Sequence, residues 1–307
     1  MMKGKIAVTP RSLSQGGHPA LAPLEQAGYE LIFPAPGQQP SLEQLAQVLP
    51  DCVGYLAGVE PIPAEVLKQC PHLKVISRNG VGVDNIDLEA ARASGIVVEK
   101  AAGSNARGVA ELAIALMLAG LRSIPWSDKQ LKAGKWDRQQ GIEIRGRTLG
   151  VIGCGQIGKD VVDIALGLGM KARAYDLYPD PVFAPQGDFA FVSLPQLLGQ
   201  ADIISLHAPP SGQPLIDAGA INQMKEGAFL VNTARAGLVD EVALLAALDN
   251  GKLRGFATDV FASEPPELTS LLQHYRVIIT PHIGGFTEES IARATETAVS
   301  NLLRVMG

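Results

Sequence analysis

Aromatic residues are scarce. They fill 5% of the 307 positions, so a hydrophobic core must be built mainly from Ala, Val, Ile and Leu. Cysteine is nearly missing as well: Cys52, Cys70 and Cys154 are widely separated, odd in number and free of any Cys-x-x-Cys spacing. That argues against a disulfide framework or a zinc site and leaves packing as the expected role of each. The longest apolar run, residues 112–121, has ten uncharged positions, half of the roughly 20 that a membrane span requires. The opening residues, Met1 to Pro10, carry too short an apolar run for a signal peptide. A protein of the reducing cytoplasm, off the membrane, is therefore expected. Excess positive charge is lacking too. With 26 Lys and Arg against 31 Asp and Glu, the net charge is −5 and the pI about 5.6. Such a chain gains nothing from counterion release on a polyphosphate, so a nucleic-acid partner is not expected.

What is present is globular. Hydrophobic residues at 47% and charged ones at 19% exclude wholesale disorder, and the length suggests two domains. Short β-branched or apolar runs at 5–8, 30–33, 53–56, 74–77 and 96–99 predict strands. Helical spacing fills 19–27, 41–49, 63–69 and 88–93 between them. After helical stretches at 105–121 and 123–133, a second series of strands is predicted at 148–152, 171–175, 203–206, 229–232, 255–258 and 277–280. An amphipathic helix over 288–305 closes the chain. The alternation predicts an α/β protein with two doubly wound parallel-sheet lobes and a cleft between them.

The strand predicted at 148–152 runs into Gly153-Cys154-Gly155-Gln156-Ile157-Gly158, and a helical run follows at once. A lone G-x-G-x-x-G is weak evidence among 33 glycines, but here the context matches the mechanism. Gly153 permits the tight turn, Gly155 lets a pyrophosphate approach, Gly158 lets helix and strand pack, and the helix N-terminus offers N–H groups. The next strand ends at Asp176, placed to accept hydrogen bonds from an adenosine ribose and to repel a 2′-phosphate. NAD is favoured over NADP.

Three further segments each follow a predicted strand. Arg235 lies after the strand at 229–232, Asp259 and the acids Glu264 and Glu267 after that at 255–258, and His282 after that at 277–280. Interconversion of a 2-hydroxy acid and a 2-keto acid needs this set. A guanidinium holds the carboxylate bidentately and stays charged. An imidazole exchanges the hydroxyl proton near neutrality, and an acid beside it favours imidazolium and fixes the ring. Spacing alone does not separate Glu264 from Glu267.

These residues, with the segments 74–87, 105–111, 206–209 and 232–241, resemble the D-isomer-specific 2-hydroxyacid dehydrogenase family, most closely its short phosphoglycerate-dehydrogenase-type members. The resemblance implies a flavodoxin-like substrate lobe over 1–101, completed by 283–307, and a Rossmann NAD lobe over 102–282. It implies Arg235 on the substrate carboxylate, His282 as acid and base, and Glu264 as its partner. The backbone N–H groups of Asn79, Gly80 and Val81 would meet the carboxylate from the first lobe. His207, Ala208, Pro209, Thr233, Ala234 and Asp259 would line the cofactor, with Gly284 at its nicotinamide end. A homodimer through the NAD lobe is also implied, with the apolar helix at 105–121 buried against the partner or within its own chain. Trp126 and Trp136 are expected in lobe or subunit packing.

There are departures. Where many such enzymes place a basic residue after the third strand, this sequence has Gly58-Val59-Glu60, which weakens the expectation of a phosphorylated substrate; Arg11 and Ser12 are the residues that would compensate. Longer members carry a C-terminal regulatory domain, and feedback through one is not expected of these 307 residues. An NADH-binding regulator of corepressor type is the alternative reading.

Overall fold

A computed structural model describes residues 2–15, 18–210 and 212–307. The chain divides into two compact units, Met1–Asn105 with Thr287–Gly307, and Ala106–Phe286.

The first unit is built on five strands, β1 (Gly4–Val8), β2 (Tyr29–Ile32), β3 (Cys52–Ala57), β4 (Val75–Arg78) and β5 (Val97–Lys100). All pair in parallel, in the order β2-β1-β3-β4-β5, the flavodoxin-like doubly wound order. Central parallel strands are covered on both faces; accordingly Ile6, Ala7, Val8, Tyr55, Leu56 and Ala57 are wholly buried. The connecting helices are short: α1 (Ala22–Gln26), α2 (Leu42–Val48), α3 (Ala64–Leu67) and α4 (Leu88–Ala93). Two are fixed by side-chain caps. Ser41 and Gln44 form a capping box on α2, and Asp87 accepts the Ala90 N–H of α4, each cap worth about 1 kcal/mol. The C-terminal helix, Glu288–Met306, returns to this unit, where Ala298, Val299 and Leu302 pack with Ile6, Leu56 and Val75.

Glu60, beyond the carboxyl end of β3, is buried. One carboxylate oxygen takes the Tyr55 hydroxyl at 2.5 Å, the Gly58 N–H at 2.9 Å and the Thr9 hydroxyl. Burial, reinforced by the Glu60 charge, pushes the Tyr55 phenol well above its ordinary pKa. Arg11 is exposed and donates to Gln39 at 3.3 Å.

The second unit begins with helices α5 (Ala106–Leu121) and α6 (Ile124–Lys132). Its strands are β6 (Thr148–Ile152), β7 (Lys171–Tyr175), β8 (Phe189–Phe191), β9 (Ile203–Leu206), β10 (Ala228–Asn232), β11 (Leu253–Thr258) and β12 (Val277–Ile279). Helices α7 (Gln156–Gly167), α8 (Leu194–Gln200), α9 (Ala218–Gln223) and α10 (Glu241–Asp249) connect them. The seven strands are parallel in the order β12-β11-β10-β9-β6-β7-β8. Strand order reverses between β6 and β9, a Rossmann arrangement whose switch point lies beside the glycine loop. Three-residue β8 escaped the sequence pattern; its Phe189 and Phe191 stack edge to face at 5.1 Å, and Phe183 joins them at 5.2 Å.

α5 is buried within its own unit, with Ala110, Ala113, Ile114 and Met117 packed among residues of β6, β10 and α7. Only a stripe through Arg107, Glu111 and Ala115 is exposed. Apolar surface appears instead at Ile124 and Leu131 of α6 and at Trp136, which is 81% exposed. All three cysteines are buried and free. Burial pushes the thiols of Cys52 and Cys70 up to about 11 and that of Cys154 to about 12, so none is a thiolate near neutrality. Among the described residues, no single helix is long and apolar enough to cross a membrane.

Candidate active site

Open α/β sheets bind ligands at the carboxyl ends of their strands. In the second unit that edge carries every chemically expected side chain. Arg235 follows β10, Glu264 follows β11 and His282 follows β12, three neighbouring strands. His282 Nδ1 lies 2.8 Å from each oxygen of Glu264. The acid in contact is thus Glu264 and not Glu267, a choice that spacing could not make. Both side chains are about half exposed, 51% for His282 and 41% for Glu264, so the ring is open to a ligand. With Nδ1 turned to the carboxylate, Nε2 is the nitrogen left for proton exchange.

The backbone beneath His282 is strained and firmly tied. Its φ is 53°, in the left-handed region that few side chains adopt. Asp259, only 1% exposed, clamps both sides of that turn. Its Oδ1 accepts the Thr280 hydroxyl at 2.6 Å and the Ile283 N–H at 2.8 Å, and its Oδ2 accepts the Gly284 N–H at 2.7 Å. Such charge-assisted bonds are the strong ones.

Arg235 is held by a different device. The buried Asn232 amide accepts from Ala234 N–H at 3.0 Å and donates to Arg235 C=O at 2.9 Å, closing the loop as a clip. The exposed guanidinium also donates to Ala234 C=O at 2.8 Å.

The glycine loop leaves β6 at Gly153, whose φ is 90° and where an added Cβ would stand 2.5 Å from Ala208 N. A Cβ on Gly158 would stand 2.2 Å from the Gly153 carbonyl oxygen. Both glycines are demanded by the protein's own packing. Gly155 is different: a Cβ there would meet nothing within 4 Å. Gly155 is the N-cap of α7, and Gln156, Ile157 and Gly158 form its first turn, where N–H groups have no acceptor within the helix. Asp176, just beyond β7, accepts Cys154 N–H at 2.7 Å on one oxygen and Tyr178 N–H at 2.8 Å on the other.

His207, Ala208 and Pro209 follow β9. His207 Nε2 lies 2.8 Å from the Ser205 hydroxyl. Burial pulls its pKa down to about 3, so this ring is neutral near neutral pH. Its Nδ1 and the Thr233 hydroxyl are buried without a hydrogen-bond partner.

Residues 114–284 match the family model described as D-isomer specific 2-hydroxyacid dehydrogenase, NAD binding domain. The chain belongs to the D-isomer-specific 2-hydroxyacid dehydrogenase family. It is 41% identical over 274 residues to the D-3-phosphoglycerate dehydrogenase of Mycobacterium tuberculosis, covering 87% of this chain and 52% of that one. With the enzyme of the same name from Methanocaldococcus jannaschii it shares 40% identity over 292 residues, 94% of this chain and 55% of the other. The chain therefore spans about half the length of these curated relatives. A solved structure from Thermus thermophilus superposes with a TM-score of 0.86 at 35% identity, covering 98% of this chain and 96% of that one.

The residues at this strand edge fit the NAD of the matched domain. An open Gly155, a helix N-terminus with unspent donors, and unpartnered buried polar atoms at His207 and Thr233 follow the neighbouring strands β6, β9 and β10. Each Asp176 oxygen takes one backbone N–H and retains capacity for a ribose hydroxyl.

Asn79, Gly80 and Val81 belong to the first unit, beyond β4. The Asn79 N–H is spent on Ala57 C=O at 2.9 Å and that of Gly80 on Arg78 C=O at 2.8 Å, which leaves Val81 as the donor of the three without a backbone acceptor. The sequence reading passed over Asn232, Ser205 and Thr280. Their signal is a polar residue near the carboxyl end of an otherwise apolar strand: Asn232 ends β10, Ser205 is next to last in β9 and Thr280 follows β12.

Proposed function

We propose that the chain is an NAD-dependent dehydrogenase interconverting a small D-2-hydroxy acid and its 2-keto acid. The Glu264–His282 pair carries the reading. It is an exposed imidazole with one nitrogen committed to a carboxylate and the other free, on the strand edge that also holds the glycine loop.

NAD, when bound, would supply the acceptor for the hydride that leaves C2 of the substrate. Everything else falls to side chains. Arg235 grips the carboxylate and polarises the C2 oxygen. His282 Nε2 takes the hydroxyl proton as the C2 oxygen becomes a carbonyl, and returns it in the reverse direction. Glu264 fixes the Nδ1–H tautomer and balances the imidazolium charge. Asp259 and Asn232 act through the backbone, setting where His282 and Arg235 stand. Gly153 to Gly158 would hold the pyrophosphate and Asp176 the ribose, and His207 to Pro209, Thr233, Ala234 and Gly284 would line the remainder.

NADH oxidation measured against a panel of 2-keto acids tests this. Glyoxylate, pyruvate, hydroxypyruvate and its 3-phosphate span the class. At least one is expected to be reduced at about 1 s⁻¹ or faster; no turnover on any would overturn the proposal.

We also propose a homodimer through the second unit, working in the cytoplasm, which its free and buried thiols suit. Supporting the dimer, Ile124, Leu131 and Trp136 are exposed, and beside them opens a groove of about 840 Å³ lined by Trp126, Lys129, Arg254 and Tyr275. It lies at the amino ends of the strands, away from the chemistry. Trp136→Glu is expected to shift the mass in light scattering from dimer toward monomer. A wild type that is monomeric at micromolar concentration would refute this.

A further inference from the structure

Beside Asp176 stands a pair of charges that the proposed chemistry does not use. Lys159 follows the last glycine of the loop, and its Nζ lies 2.5 Å from Asp180 Oδ2. Asp180 Oδ1 accepts the Val182 N–H at 3.0 Å, so the carboxylate is fixed by its own turn. The ammonium also lies 5.3 Å from the centroid of Phe183, itself anchored on Phe189 of β8. Side-chain exposure is 31% for the lysine and 32% for the aspartate.

The pair shares one electrostatic cluster with the ribose-binding position. Hydrogen bonding to Asp180 keeps Lys159 above its ordinary pKa, with the Asp176 charge adding to the effect. Lys159 in turn holds Asp180 below the usual carboxylate range. Both therefore stay charged near neutrality. A 2′-phosphate placed against Asp176 would meet a carboxylate that only neutral backbone N–H groups offset. A free Lys159 would offset that charge, but an ammonium already bonded to a carboxylate offers almost no net field.

We propose that Asp180 is a positioning residue for cofactor choice: by holding Lys159 in an ion pair, it withdraws that cation from the ribose 2′ position, so that NAD is accepted and NADP refused. The inference rests on Asp176 meeting the ribose.

Calorimetric titration of the full chain with NADH and with NADPH tests it without turnover. Asp180→Asn keeps an oxygen for the Val182 N–H, and Asp180→Ser is a second variant able to cap the same turn. In either, the ratio of NADPH to NADH Kd is expected to fall about tenfold at low salt. The gain should shrink at about 0.5 M salt and disappear when Lys159→Met is added. A purely structural loss would weaken both nucleotides alike. An unchanged ratio in both single variants, or a gain that survives Lys159→Met, would overturn the proposal. Wild type binding NADPH as tightly as NADH would do the same. Failure of wild type to bind NADH at all would instead remove the cofactor assignment on which it stands.

Discussion

Replacing His282 with asparagine is expected to lower kcat/KM by about 10²- to 10⁴-fold, the usual worth of a positioned acid–base group, while NADH affinity stays within a few fold. Asparagine is the informative substitution because the site has a φ of 53°. Asparagine tolerates that conformation better than alanine, so lost rate reports lost proton transfer and not a relaxed loop. The three bonds to Asp259 do not involve the His282 side chain and survive the change. Glu264→Gln should cost less, since an amide oxygen still accepts the Nδ1–H but no longer balances an imidazolium. Steady-state kinetics with each variant, beside nucleotide titration by fluorescence, separates the two effects. A His282→Asn enzyme retaining more than a tenth of the wild-type rate would rule out His282 as the proton carrier.

Asp259 shows why the site is more than the three side chains proposed to react. A left-handed non-glycine residue costs of order 1–3 kcal/mol and persists only where its surroundings over-determine it. A buried carboxylate accepting one hydroxyl and two N–H groups from residues on either side of His282 does that. The strained turn places the imidazole against Glu264, which reaches over from the loop after the adjacent strand.

Much of this was legible in the sequence for a simple reason. Strands buried on both faces read as short apolar runs, so β6 and β9 match their predicted limits, while β7 matches its own through alternation, with Ala172 and Ala174 buried between Lys171, Arg173 and Tyr175. The glycine loop was legible because it sits between a strand and a helix. Less legible was whatever depends on partners distant in sequence. β8 is three residues at the sheet margin and forms by pairing with β7. Glu264 and Glu267 differ only in which one a loop carries toward His282. The clamp of Asp259 on 280–284 is a tertiary feature, and the donors spent by Asn79 and Gly80 on Ala57 and Arg78 become visible only once the chain has turned. The acid at Glu60 was noticed as a departure; its burial in a cage of three donors was not foreseeable from spacing.

The glycine loop yields the second large effect, because its glycines are required for different reasons. Gly158→Ala forces a Cβ to within 2.2 Å of the Gly153 carbonyl oxygen, a contact with backbone that a side-chain rotation does not relieve. It is expected to destabilise the fold by about 1–3 kcal/mol, as overpacking does, and to lower Tm. Gly155→Val should spare the fold and lose the ligand. Its φ of −74° is open to L residues and no atom lies within 4 Å of the new Cβ, so the cost is confined to a poorer N-cap, about 1 kcal/mol, and Tm should fall by only a few degrees, less than for Gly158→Ala. NADH binding, however, should weaken on the order of 100-fold, about 2.7 kcal/mol, because the valine fills the space where a pyrophosphate meets the backbone. Thermal melts paired with calorimetry resolve the two. A stable Gly155→Val variant that still binds NADH like wild type would mean that the open face of this loop is not where the dinucleotide lies.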